Sequence, residues 1–450
     1  MEYFKKNIYA LIKLAIPLIC TGLLQSSVYF FVTLFLAHLN EDALAAGSLV
    51  AWLFGTFNVI VVGILNSINV LVAHRYGATD KYGVSLVFRD GFWLAVMLSI
   101  PAICFFWNAA GIFALLGQTP ELVKLTQSYL HALCWGLLPN FITIALMELF
   151  IGIGRTTVVL FFSALNVLLN ILCSYALIFG AFGLPAIGIA GAGWGTTIGF
   201  AITAVCFCVY FFTNKTYNCY THLLLTPIKP YCTIELIRIG MPLGLMYCLE
   251  VGFFLAVILI ISTFGNQLLA ANQIALQYLC ILMSIIFSMA QAITVRMGHL
   301  LGEDNVTMAT QVGYTGMAIS TLFMLLIALL YWIVPTSLIA IDFDVKAPEN
   351  QQLLHSSIQF LAVCAVFQIF ESARIALFGA LRAIKDTRFT LYTSILSFWG
   401  IALPVGYFLA TYLDLKGLGL WWGMVLSAAI NAFLLYWRFG YKMRKYQSYG

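Results

Sequence analysis

Two acids, one arginine and one phenylalanine carry the chemistry most clearly marked in this chain of 450 residues. Glu250 lies near the middle of the apolar run Met241–Phe264, which is long enough to cross a bilayer. Glu371 lies in a second such run, Leu361–Leu381, one helical turn after Phe367 and one before Arg374. A carboxylate at the centre of a membrane helix costs roughly 2.5–3.5 kcal/mol on insertion scales, so it must face water, a cavity or a partner. Two such acids in one half of a chain suit a cation or proton pathway. Arg374 can pair with Glu371 and fix its charge. If Arg374 instead points toward the cytoplasmic end, Glu371 is free to bind a cation, and Phe367 on the same helix face offers that cation a ring. The basic Arg382 follows only two turns later, and its proximity favours the second arrangement.

The elements that must position these groups are membrane helices. Hydrophobic residues make up 62% of the chain and charged residues 9%, against about 25% charged in soluble domains. Apolar runs predict twelve spans, at 14–37, 44–72, 91–116, 126–152, 157–180, 188–213, 240–264, 269–295, 309–334, 352–381, 389–411 and 418–438. Eighteen Lys and Arg fall on one side of this layout and three (Lys124, Lys346, Lys416) on the other, with Arg374 inside a span. The positive-inside rule then places both termini in the cytoplasm. No cleavage site follows the first apolar stretch, so no removed signal peptide is expected. The net charge of +5 is a consequence of this topology and calls for no nucleic-acid partner. Eleven cysteines form no metal or redox pattern and read as packing residues.

The chain divides into two similar halves. A shift of 225 residues aligns Pro17 with Pro242, Gln25 with Glu250, His74 with His299 and Gly77 with Gly302, and a shift of 228 aligns Trp194-Gly195 with Trp422-Gly423. We read an N-lobe at 1–213, a polar cytoplasmic linker at 214–238 containing Pro227 and Pro230, and a C-lobe at 239–450. Six spans per half return the chain to its starting side, so the expected fold is all-α, with two six-helix lobes related by a parallel pseudo-two-fold repeat. That arrangement suits substrate sites between halves and access that alternates as they rock. In the N-lobe, Asn166 and Asn170 share a helix face, and the small-residue stretch Gly188–Thr197 carries Thr196. With Gln25, these are the candidates for an N-lobe cavity; amides in lipid serve equally to glue helices together. Glu148, near the cytoplasmic end of the fourth span, could reach Arg155 or water.

Catalysis on lipid would need a nucleophile, metal cluster or acid–base set, and the chain has no HExxH, no GxSxG and no clustered His. An enzyme is therefore not expected. Export or flipping of an endogenous metabolite or lipid-linked substrate would call for several basic side chains facing a phosphate, and Arg374 alone lies clearly inside a span.

Several stretches together resemble the multidrug and toxic compound extrusion (MATE) family, in its NorM-like branch. They are Leu44-Ala-Ala, Val72-Ala-His-Arg-Tyr-Gly-Ala78, Gly152-Ile-Gly-Arg-Thr156, Asn166-x-x-x-Asn170, Gly188-Ile-Ala-Gly-Ala192, Leu249-Glu250-Val251, Val295-Arg-Met-Gly-His-Leu-Leu-Gly302 and Ala380-Leu-Arg-Ala-Ile-Lys-Asp-Thr387. The resemblance implies a secondary active antiporter that exports amphipathic, often cationic compounds against sodium ions or protons. It would act as a monomer in a bacterial inner membrane, with no cofactor beyond the coupling ion and no metal beyond sodium at Glu250 and Glu371. In this branch a glutamate of helix seven and an aspartate of helix ten take part in cation binding. Glu250 matches the first, and Glu371 replaces the second with one more methylene. The family's helix-one aspartate, within Val-Asp-Thr, is matched by Val32 of Phe31-Val32-Thr33. A valine can neither carry a proton nor ligate a cation, so coupling would rest on Glu250 and Glu371.

Overall fold

A computed structural model describes residues 2–221, 230–345 and 347–449; Pro227, Lys229 and Lys346 lie outside them. Among the described residues all regular structure is helical. The long helices are α1 (Glu2–Ala37), α2 (Glu41–Gly77), α3 (Lys81–Asn108), α4 (Pro120–Cys134 and Leu137–Gly152), α5 (Thr156–Phe179), α6 (Ile189–Thr213), α7 (Pro230–Ser262), α8 (Asn266–Gly302), α9 (Val306–Ile333), α10 (Gln351–Ala383), α11 (Thr387–Thr411) and α12 (Gly417–Tyr449). Eleven are single helices long and apolar enough to cross a membrane among the described residues, and the two pieces of α4 make a twelfth if they form one span.

Helix starts follow local chemistry. Asn40, Asp80 and Asn305 each precede a helix and accept a hydrogen bond from the backbone N–H three residues on, at 2.7, 2.8 and 3.2 Å. Three expectations change. Helix α3 begins at Lys81, ten residues before the expected span, where Asp80 caps it, and Arg89 and Asp90 in the added turns form a buried 2.8 Å ion pair. The fourth span is not straight: its pieces are bent by 49°. Gly136 lies at the break, and Pro139, in the first turn of the second piece, has no N–H to continue the ladder. The expected linker is partly helical, with a short turn at Asn218–Thr221 and α7 starting at Pro230.

The described chain forms two compact units, residues 16–244 and residues 1–15 with 245–450. These bounds differ from the lobes read in the sequence, because α1 and α7 each contribute to both units. Each of the two helices carries an internal proline, Pro17 and Pro242, within three residues of the point where it changes unit. A proline there deletes one backbone hydrogen bond.

Within each unit, small residues set the closest helix pairs. On α6, Gly191, Gly195 and Gly199 recur every four residues, and a Cβ on any of them would strike Leu177, Ser174 or Asn170 of α5. On α12, Gly419 and Gly423 meet Ala410 and Gly406 of α11 in the same way. The aligned Trp-Gly pairs thus mark one packing device used once in each unit.

Candidate functional site

The charged centre belongs entirely to the second unit. Helix α7 supplies Glu250, and α10 supplies Glu371 and Arg374. The three-residue spacing on α10 places the arginine fork over its own carboxylate: Nε donates to Glu371 Oε2 at 2.8 Å and Nη2 donates to Oε1 at 2.6 Å. The remaining arm, Nη1, donates across to Glu250 Oε1 at 2.9 Å. The expectation that Arg374 turns away and leaves Glu371 free is therefore corrected. Arg382, whose proximity suggested the cytoplasmic end, is itself buried and donates from Nε to Thr294 Oγ1 of α8 at 3.1 Å. The interior of the unit continues through that turn, and the Arg374 guanidinium, buried among helices, is paired with carboxylates there.

The ring partner is also different from the one expected. Phe367 is fully buried, 6.0 Å edge-on from Trp421, while Phe398 of α11 lies 5.1 Å from the Arg374 guanidinium carbon. Phe398 and Trp399 belong to a wider, π-type segment, Leu396–Ala402, that precedes Pro404. The wide turn is one way a helix absorbs a residue that cannot donate, and such turns recur at functional sites. Here it sends neighbouring rings to different partners. Phe398 packs on Phe253 at 5.0 Å, and Trp399 Nε1 donates to the Leu249 carbonyl at 3.2 Å, beside Glu250. Trp421 in turn donates to Asn272 Oδ1 at 2.9 Å, tying α12 to α8. The centre is thus braced by α11 against α7, with the α12–α8 tie lying beside Phe367. Sequence reading missed Phe398 because its role depends on the π-type turn, and hydropathy carries no signal for one.

Arg374 is 2% exposed, and the side chains of Glu250 and Glu371 are 11% and 4% exposed. Two carboxylates share one guanidinium. With all three ionised, the centre carries one uncompensated negative charge in a medium that penalises it. It can take up one positive charge.

The four N-lobe candidates fall in the first unit. Asn170 is buried and donates to the Asn166 carbonyl at 2.9 Å and to its Oδ1 at 2.7 Å, so these two come together as the shared face requires. Thr196 is buried and Gln25 is exposed. Val32 is buried, and Glu148 accepts a hydrogen bond from Asn69 Nδ2.

An all-helical chain with this many apolar spans and a buried, charge-imbalanced centre is a polytopic integral membrane protein of the transporter class. The MatE family model matches residues 17–176 and 242–408, and the chain belongs to that family, whose members are transporters. It is 31% identical over 433 residues to the "Multidrug resistance protein NorM" of Burkholderia vietnamiensis, covering 96% of this chain and 93% of that one. It is 30% identical to the "Probable multidrug resistance protein NorM" of Pseudomonas aeruginosa, covering 96% and 89%. Among solved structures, a MATE protein in the bent conformation superposes with a TM-score of 0.90 at 18% identity, covering 98% of this chain and 96% of that one. A MATE family transporter in an outward-facing conformation gives 0.88 at 19% identity, covering 97% and 96%.

Proposed function

We propose that this chain is a multidrug efflux antiporter that exports amphipathic organic cations in exchange for sodium ions or protons, opening alternately to the two sides of the membrane. The observation that carries this reading is the Glu250–Arg374–Glu371 centre, two buried carboxylates on one guanidinium, which holds one excess negative charge when all three are ionised. One positive charge neutralises it, whether that charge is a proton, a sodium ion or the head of a cationic substrate. Ligands that each satisfy the same deficit compete, and competition for one charge deficit is the requirement for exchange. A conformational cycle follows if the two differ in affinity for the two orientations of the protein.

Arg374 has two roles in this scheme. It keeps the carboxylates from repelling each other, and its bidentate hold on Glu371 leaves Glu250, gripped by one arm only, as the group able to change partner. Its capture by two carboxylates also weighs against the lipid-linked alternative, which needs a cationic side chain available to a phosphate. The names of the NorM relatives support the multidrug reading. The positive-inside count supports both termini in the cytoplasm, and the reading takes the chain to work in an inner membrane as a monomer with no cofactor other than its coupling ion.

The test uses purified protein in vesicles loaded with a fluorescent organic cation. We expect efflux to accelerate over protein-free vesicles when an inward sodium gradient or an inward proton gradient is imposed, and the effective ion identifies the coupling. Absence of driven efflux with both ions would overturn the proposal.

A further inference from the structure

We propose that the far end of α12 binds the headgroup of an anionic phospholipid, a role beyond the efflux reading and independent of the Glu250 centre. Helix α12 has 33 residues, about 50 Å of helix, whereas the hydrocarbon core of a bilayer is about 30 Å thick. A span that starts at Gly417 therefore leaves the core near Trp437, and the residues after it stand at headgroup level. The rings found there fit that depth. Trp437 and Tyr441 are 58% and 52% exposed and stack with centroids 6.0 Å apart, an amphipathic pair of the kind that gathers at the membrane–water interface.

Beside these rings Arg438, Lys442 and Lys445, spaced by four and three, form a basic stripe along one face of the helix. Arg438 and Lys442 share a single acid: Asp386, which precedes α11, lies 2.8 Å from Arg438 Nε and 3.6 Å from Lys442 Nζ. Arg438 also lies over the Phe389 ring, 4.6 Å from its centroid. Two cations on one carboxylate leave one positive charge over, held in place and part-exposed, and the exposed Lys445 follows one turn on. The fold does not require this charge. The shift of 228 residues that aligns the two Trp-Gly pairs sets Arg438, Lys442 and Lys445 against Tyr210, Asn214 and Tyr217 of the first unit, where Tyr217 is buried 4.9 Å from the Phe150 ring. Aromatic packing closes the helix end in one unit, and a cationic surface is left in the other. A phosphate diester suits that surface: its negative charge and oxygens meet arginine and lysine donors, while its acyl chains lie in the core below Trp437 and Tyr441.

The test titrates purified, delipidated full-length protein with phosphatidylglycerol or phosphatidylcholine and reads the bound lipid by native mass spectrometry. We expect phosphatidylglycerol to bind more tightly than phosphatidylcholine. Lys442→Gln with Lys445→Gln should raise its half-saturating concentration by about 25-fold, about fivefold for each cation removed, and leave phosphatidylcholine unaffected. Lys81→Gln with Lys215→Gln removes as much charge from the first unit and should leave phosphatidylglycerol binding unchanged. Equal binding of the two lipids, or equal weakening by the two double variants, would overturn the proposal, as would displacement of phosphatidylglycerol by an equal concentration of inorganic phosphate, which would assign the site to a free anion. Should the Lys442→Gln, Lys445→Gln protein fail to fold, Asp386→Asn decides: it removes the competing carboxylate and keeps the cations, and phosphatidylglycerol binding that does not tighten overturns the site. Lipid binding is read without transport, so these outcomes stand whether or not the antiport reading holds.

Discussion

Arg374→Gln is expected to lower stability by about 3–5 kcal/mol, the cost of leaving buried charge without its partner. The glutamine replaces three charge-assisted donors with one neutral amide while Glu250 and Glu371 still face each other. Thermal unfolding of the purified protein measures the loss. The physical cause is identified by a second substitution in the same chain. Arg374→Gln with Glu371→Gln returns the centre to one excess negative charge, as in the native protein, and should recover most of the lost stability. If the double variant is no more stable than the single one, packing of the guanidinium rather than charge balance is its main contribution.

Phe398→Ala is expected to cost about 2–3 kcal/mol, somewhat below the 3–5 kcal/mol typical of a soluble core. In lipid the apolar transfer contribution nearly vanishes, because acyl chains are as apolar as the interior. What remains is the cavity beside Phe253 and the lost face under Arg374. Phe398→Leu refills most of the volume without the ring and isolates the second contribution, about 0.5–2 kcal/mol. The comparison of the two melting midpoints is the check. Equal losses for Ala and Leu would assign the whole effect to the cation–π contact.

The spans were legible in the sequence because bilayer thickness imposes a length and a polarity that few residues escape. Breaks inside spans were not, because Pro139 and Pro404 have the same apolar character as their neighbours and act only through a missing N–H. The two acids were legible as costs. Their arrangement was not, since one of Arg374's three bonds crosses to a helix more than a hundred residues away. The misreading of Arg374 came from weighing its nearness in sequence to Arg382, when carboxylates on α10 and α7 capture its guanidinium.

Ion-driven exchange through the charge deficit of the second unit is tested most directly by Glu250→Gln. The substitution removes the excess charge and leaves the Glu371–Arg374 pair balanced, so the protein should fold with a stability change below about 2 kcal/mol. In vesicles loaded with a fluorescent organic cation, gradient-driven efflux should fall to the level of protein-free vesicles. Driven efflux that persists at the native rate in Glu250→Gln would contradict the account.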